Sequence, residues 1–326
     1  MTTYPPATEQ KIAEVVEALD RFGAKSIVAL AGVPGTGKSY VASIAAQRFA
    51  NEPLFVREVQ FHQSFSYEEF IEGLRIDDKG VANPMPGIFL DLNSIAADDP
   101  SHRYVLLIEE LTRANLSAVL GELLTYLEYR GKRPFYTVYS RKPVYISENL
   151  FILATYNPMD RSAIEVDSAL LRRLRVLSFP PDTSQLREML LANGLPANVI
   201  DRLGAMFDAC RKAHGDDYEL GMPFGHGLFA EVHAEDDLTL LYKQRIRYIL
   251  RRPLLEPHPF TATIEKHYPW TIPGFRTTEL APAMATAAPL PRAAEGEEDL
   301  GTAPVGEQED GAAASEETGT GGSTET

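Results

Sequence analysis

The stretch Gly32-Val33-Pro34-Gly35-Thr36-Gly37-Lys38-Ser39 restricts what this chain can fold into more than any other. It has the spacing G-x-x-x-x-G-K-[ST], in which glycines let backbone N–H groups turn inward onto phosphate oxygens. Such a loop works where a buried strand runs into it and a helix leaves it, because the positive end of that helix then faces the anion. Both flanks fit. Ser26–Ala31 is a short apolar run suited to a buried strand, and a helical pattern continues from the loop to about Ala50. Gly32, Pro34, Gly35, Thr36 and Gly37 are therefore candidate phosphate-cradling residues. Lys38 would reach the β- and γ-phosphates, and Ser39 would hold Mg²⁺.

Around this loop, strand-like and helical patterns alternate. Ile12, Val15, Val16, Leu19 and Phe22 follow helical spacing up to Gly23. Further strand-like runs lie at Leu54–Val59, Tyr104–Ile108, Asn149–Thr155 and Arg175–Phe179, separated by helical stretches at Tyr67–Leu74, Gly87–Ala97, Asn115–Tyr129 and Val166–Leu174. Strands that alternate with helices predict an α/β core with a parallel sheet. From Pro180 onward the patterns are helical only: Ser184–Leu191, Asn198–Ala213 and Leu238–Leu250. The expected organisation is an N-terminal helix (1–23), the α/β core (24–180), an α-helical subdomain (181–270) and a tail (271–326).

The tail is rich in Ala, Gly, Glu, Thr and Pro. From Thr277 to Thr326 it carries eleven acids against the single base Arg292, so ten of the chain's fifteen net negative charges sit there. That composition cannot bury enough apolar surface to offset the entropy of ordering, and a disordered acidic tail is expected. The remainder is only mildly acidic, which excludes a bare basic nucleic-acid binder. The lone cysteine, Cys210, excludes an internal disulfide or a Cys-rich zinc site. No apolar run approaches the ~18 residues of a membrane helix. The first residues lack a basic-then-apolar export pattern, so a cytoplasmic protein is expected.

Other residues add chemistry to the phosphate loop. The run Val105–Ile108 ends in Glu109-Glu110, two carboxylates at the edge of the sheet where ligands bind in open α/β folds. One would orient the Mg²⁺ shell, and the other would align the attacking water. Asn157 ends the next strand-like run, where an amide can hydrogen-bond both water and γ-phosphate, and Asp160-Arg161 follows. Arg172-Arg173 precedes the last run, either as a solvated basic face or as an arginine finger. His62 has no second ligand at metal-binding spacing.

Taken in order, these motifs resemble the AAA+ superfamily, specifically its McrB-type branch, grouped with dynein-related and MoxR-like domains. The resemblance spans roughly Ala24 to Pro257. It is carried by Gln60-Phe61-His62-Gln63-Ser64-Phe65-Ser66-Tyr67-Glu68-Glu69-Phe70-Ile71-Glu72-Gly73, Glu110-Leu111-Thr112-Arg113-Ala114-Asn115-Leu116-Ser117 and Tyr156-Asn157-Pro158-Met159-Asp160-Arg161-Ser162. Phe224-Gly225-His226-Gly227-Leu228-Phe229 and Arg252-Pro253-Leu254-Leu255-Glu256 complete it. The resemblance implies Glu110 as the water-orienting carboxylate, Glu109 and Ser39 on the metal side, Asn157 as the first sensor, and Asp160-Arg161 as a signature pair. Arg172 and Arg173 match fingers that act on a neighbouring subunit's nucleotide, and His226 falls near the second sensor of the helical lid.

What the resemblance implies is Mg²⁺-dependent hydrolysis of ATP or GTP by a homo-oligomeric ring, hexameric in this reading. The ring would drive a McrC-like or other effector in DNA restriction or phage defence, touching DNA only through that partner and no membrane. A MoxR-like chaperone and a non-hydrolysing nucleotide-gated scaffold are the alternatives. Three positions depart from the branch pattern. Glu109 stands where Asp is usual, so that one extra methylene carries the carboxylate about 1 Å farther. Tyr156 replaces Met, and Leu171 replaces the first of three arginines. About 25 residues precede the first strand, so no separate DNA-reader domain is expected ahead of it.

Overall fold

The computed structural model describes residues 4–160, 172–251 and 257–271. Most of the helix expected over Val166–Leu174, together with Arg161, Leu171, Arg252–Glu256 and the acidic tail, lies outside the described residues. The chain enters through helix α1 (Pro6–Phe22), whose Ile12, Val15, Ala18 and Leu19 form one buried stripe at helical spacing. Strand β1 (Ile27–Ala31) is buried along its whole length, and the phosphate loop leads from it into α2 (Lys38–Ala50).

There follow β2 (Val56–Gln60), a one-turn α3 (Tyr67–Phe70), β3 (Glu72–Ile76), β4 (Ala82–Pro86), α4 (Ile88–Asp98) and β5 (Tyr104–Glu109). The short pair β6 (Phe135–Tyr136) and β7 (Pro143–Val144), then β8 (Leu150–Tyr156) and β9 (Leu174–Ser178), complete the strands. Five of them form one parallel sheet in the order β2-β5-β8-β1-β9. The chain moves from β1 to the far edge, returns through β5 and β8, and finally crosses to the other side of β1. The strand order therefore reverses at β1, and open sheets bind ligands at the carboxyl edge beside such a reversal.

Alternation sorts the side chains of the sheet onto two cores, because successive residues of a strand face opposite ways. Ile27, Ala29, Leu106, Ile108, Ile152 and Ala154 pack beneath α4 and the segment after β5. Val28, Leu30, Val105, Leu107, Phe151 and Leu153 pack against α1 and against Val41, Ala42, Ala45 and Ala46 of α2. Burial on both faces explains why these strands read as continuous apolar runs.

Two expected helices are interrupted. The stretch expected to be helical from Tyr67 to Leu74 makes one turn, closed by a Ser66/Glu69 capping box, and then becomes the β3–β4 hairpin. The buried Glu72 there accepts the amides of Tyr139 (3.2 Å) and Ser140 (2.8 Å), some seventy residues away. The stretch Asn115–Tyr129 breaks at Gly121, whose φ of 46° and ψ of −126° no helix tolerates. Leu116–Leu120 and Leu123–Tyr126 are separate short helices on either side.

After β9 the chain is helical, with Thr183–Ala192 and Ala197–His214 as the long elements. Leu186, Leu190, Leu203, Phe207, Phe224, Phe229, Ile246 and Tyr268 build a core separate from the two beside the sheet. The fully buried Trp270 belongs to it, and its indole N–H donates to Glu235 at 2.9 Å. Among the described residues no helix is long and apolar enough to cross a membrane.

Candidate active site

The loop between β1 and α2 is shaped by Gly35 and Gly37, both at φ 80°, a conformation that side chains with a Cβ avoid. Thr36 Oγ1 and Lys38 Nζ each donate to the Val33 carbonyl at 3.0 Å, so the loop closes on itself. Burial lowers the Lys38 ammonium below the ordinary lysine range, against the opposing charges of Glu110, Glu109 and Asp160. Those three carboxylates surround the lysine electrostatically although they come from the ends of two different strands.

Strand alternation explains how they get there. Val105 and Leu107 face α2, so Glu109, two residues on, faces the first turn of α2, and the same reasoning places Thr155 after Phe151 and Leu153. Ser39 Oγ donates to Glu109 Oε2 at 2.8 Å, and the buried Thr155 hydroxyl donates to the same oxygen. Glu109 Oε1 is buried without a hydrogen-bond partner. A buried carboxylate oxygen left open beside a serine hydroxyl is an unmet demand for a cation. Hard oxygen donors of this kind suit Mg²⁺, so the residues present fit that ion.

Glu110 leaves the strand pattern. Its φ of 57° and ψ of 46° are left-handed, a conformation costing a non-glycine residue roughly 1–2 kcal/mol. Its amide donates to Thr155 Oγ1 at 3.3 Å. Its Oε2 accepts from Arg113 Nε at 3.4 Å, and the same Nε lies 3.3 Å from Asp160 Oδ2. Asn157 Nδ2 in turn donates to Asp160 Oδ1 at 3.2 Å. Glu110, Arg113, Asp160 and Asn157 thus form one polar chain across the ends of β5 and β8.

The helical subdomain closes over the loop from the other side. The amide of Gly225 donates to Pro34 O at 2.8 Å, and that of Gly227 donates to Gly35 O at 2.7 Å. Between them His226 is buried, and its Nδ1 accepts the Asp182 amide at 3.3 Å, which leaves the ring proton on Nε2. Burial pushes the imidazole down to about 4, so it is neutral near pH 7. A cavity of about 580 Å³ opens beside these contacts, lined by Pro34, Asn157, Met159, Met222, Ile249 and His258 among others.

Residues 27–174 match the family model described as the AAA domain, dynein-related subfamily. The α/β core is similar to an AAA domain over these residues. The chain is 34% identical over 230 residues to the Type IV methyl-directed restriction enzyme EcoKMcrB subunit of Escherichia coli (strain K12), covering 65% of this chain and 49% of that protein. It is 25% identical over 183 residues to the Type II restriction enzyme BsuMI component YdiS of Bacillus subtilis (strain 168), covering 44% of this chain and 53% of that one. The chain therefore spans about half the length of the curated relatives it matches. Among solved structures, a putative ATPase from Cytophaga hutchinsonii aligns at 16% identity and a TM-score of 0.36, over 56% of this chain and 53% of that one.

Beside the start of β1, where the Ile27 amide donates to Arg173 O at 2.9 Å, the two expected finger arginines part company. Arg172 is exposed. Arg173 is only 8% exposed, and its Nε lies 3.7 Å from Glu128 Oε1 of the same chain. The phosphate-loop residues, Glu109, Glu110, Asn157 and Asp160 come together at the carboxyl edge of the sheet, with His226 brought to the loop from the helical subdomain, whereas Arg173 pairs with Glu128 instead. Reading the sequence missed the parts played by Thr155 and Arg113. The available signal was a hydroxyl at the end of an otherwise apolar strand, since a buried hydroxyl must find partners.

Proposed function

We propose that this chain hydrolyses a nucleoside triphosphate, ATP or GTP, with Mg²⁺, as a motor subunit of a homo-oligomeric ring. The observation that carries the reading is the Ser39–Glu109 contact at 2.8 Å, which leaves Glu109 Oε1 buried and uncommitted beside the phosphate loop. Lys38 would exchange the Val33 carbonyl for the β- and γ-phosphates, while Ser39 and Glu109 hold the metal. Bound there, Mg²⁺ would neutralise charge on the β- and γ-oxygens. Glu110 would accept a hydrogen bond from the attacking water, and Asn157 would donate to that water or to the γ-phosphate. The water oxygen bonds to the γ-phosphorus as the bond to the β–γ bridging oxygen breaks, the water's proton passing away on the side of Glu110, and a nucleoside diphosphate and inorganic phosphate are released. Arg172 is the better placed of the two arginines to act on a neighbouring subunit's nucleotide, because it is exposed.

Two relatives named as components of restriction enzymes support the second half of the proposal: the ring drives a separate effector of the McrC type in restriction of DNA, and meets DNA through that partner. Turnover of ATP and of GTP by the purified protein, with Mg²⁺ and with the metal chelated, tests the first half. Metal-dependent turnover that Glu110→Gln abolishes is expected. Tight binding without turnover would make the protein a nucleotide-gated scaffold instead.

A further inference from the structure

The run Leu150–Ala154 of β8 is apolar and buried, and Thr155, 2% exposed, is the first side chain along it able to hydrogen-bond. We propose that Thr155 is a positioning residue for both acidic residues at the end of β5, acting on Glu109 through its carboxylate and on Glu110 through its backbone. The inference rests on the hydrolase reading above.

A threonine hydroxyl has one proton to give and lone pairs to accept with. A carboxylate accepts and an amide N–H donates, so the two contacts leave the hydroxyl no choice of orientation: it gives its proton to Glu109 Oε2 and receives the Glu110 amide at 3.3 Å. The first contact acts with Ser39, which donates to the same oxygen. Both hydroxyls therefore occupy Oε2 and turn Oε1, the oxygen without a partner, to face whatever cation the site takes. The second contact has a separate consequence. Had β5 continued regularly, Glu110 would share a face with Ile108 and point into the core beneath the sheet. The left-handed turn at Glu110 prevents this, and the Thr155 hydroxyl holds the amide of that turn. The Glu110 carboxylate instead lies beside Arg113, at the edge where phosphates arrive.

The test compares Thr155→Val, which keeps the branched shape and removes the hydroxyl, with Thr155→Ser, which keeps the hydroxyl and removes a methyl group. Turnover and the Mg²⁺ concentration that half-saturates binding of a non-hydrolysable triphosphate analogue are measured on both, with wild type alongside. Loss of a buried hydrogen bond to a charged group predicts a kcat at least about fivefold lower for Thr155→Val than for Thr155→Ser, with analogue affinity at saturating Mg²⁺ nearly equal. It also predicts that Thr155→Val needs about threefold more Mg²⁺ or beyond. A smaller kcat gap between the variants, or kcat and analogue affinity falling in equal measure, overturns the proposal. If wild type binds the analogue but turns over no triphosphate, the hydrolase reading fails by itself. The Mg²⁺ titration then still decides on Thr155, and a half-saturation unchanged by Thr155→Val overturns its role.

Discussion

The amide of Gly227 donates to the carbonyl of Gly35 at 2.7 Å, tying the helical subdomain to the tip of the phosphate loop. Gly225 makes the companion bond to Pro34, and a Cβ added to Gly225 would stand 2.3 Å from Gly35 O. Backbone cannot yield as a side-chain end can. Gly225→Ala should therefore push the two segments apart and weaken triphosphate binding by about tenfold or more, equivalent to the net worth of one or two hydrogen bonds. Calorimetric titration with a non-hydrolysable analogue reads this directly, and an unchanged affinity would show that the loop cradles phosphate independently of the helical subdomain.

Lys38→Ala and Glu110→Gln should separate binding from chemistry. The first removes a desolvated cation from beside the phosphates, and affinity for the triphosphate should collapse. The second keeps shape and hydrogen bonding but loses the charge that aligns water, so binding should persist while turnover falls by roughly 10²–10⁴. Equal turnover by Glu110→Gln and wild type would transfer the role to another group.

The contrast between Arg172 and Arg173 predicts different defects. Arg173→Ala should lower the melting temperature, because it removes a buried guanidinium beside Glu128. Arg172→Ala should fold normally and bind nucleotide, yet turn over poorly where assembled subunits depend on one another's guanidinium, a contribution of roughly 10³–10⁵ in systems with such fingers. Mixing Arg172→Ala with Lys38→Ala should restore activity above the sum of the two, because a mixed ring contains interfaces with both parts intact. Mixed assembly without rescue, with its composition verified by mass, would refute the in-trans role.

His226 makes stability depend on pH. Its folded value of about 4 lies below the 6.5 of an unburied imidazole, so on acidification the unfolded chain binds a proton that the folded chain refuses. The stabilisation is complete above about pH 6.5 and drains away toward pH 4. Linkage puts the loss between pH 7 and pH 5 at about 2 kcal/mol. Denaturant titrations at the two pH values, on wild type and on His226→Gln, should show a steeper fall for wild type; parallel falls would mean that His226 is not held neutral by burial.

Local chemistry is legible in the chain itself. Gly32–Ser39 announces a phosphate loop because its glycines and lysine must be contiguous to work, and the apolar runs announce buried strands because both faces of a parallel sheet are covered. The positions of Glu109, Glu110 and Asn157 follow from where those runs stop. Tertiary structure alone decided the rest. The helix expected through Leu74 became a hairpin because the carboxylate of Glu72 finds its donors at Tyr139 and Ser140. Arg172 and Arg173 are chemically identical neighbours, and tertiary packing, which sets Arg173 beside Glu128, distinguishes the buried one from the exposed one. Thr155 reads as one more β-branched strand residue until β5 and β8 are set side by side. Its hydroxyl then meets two consecutive glutamates that lie some forty-five residues earlier in the chain, a relationship that no periodicity along one strand encodes.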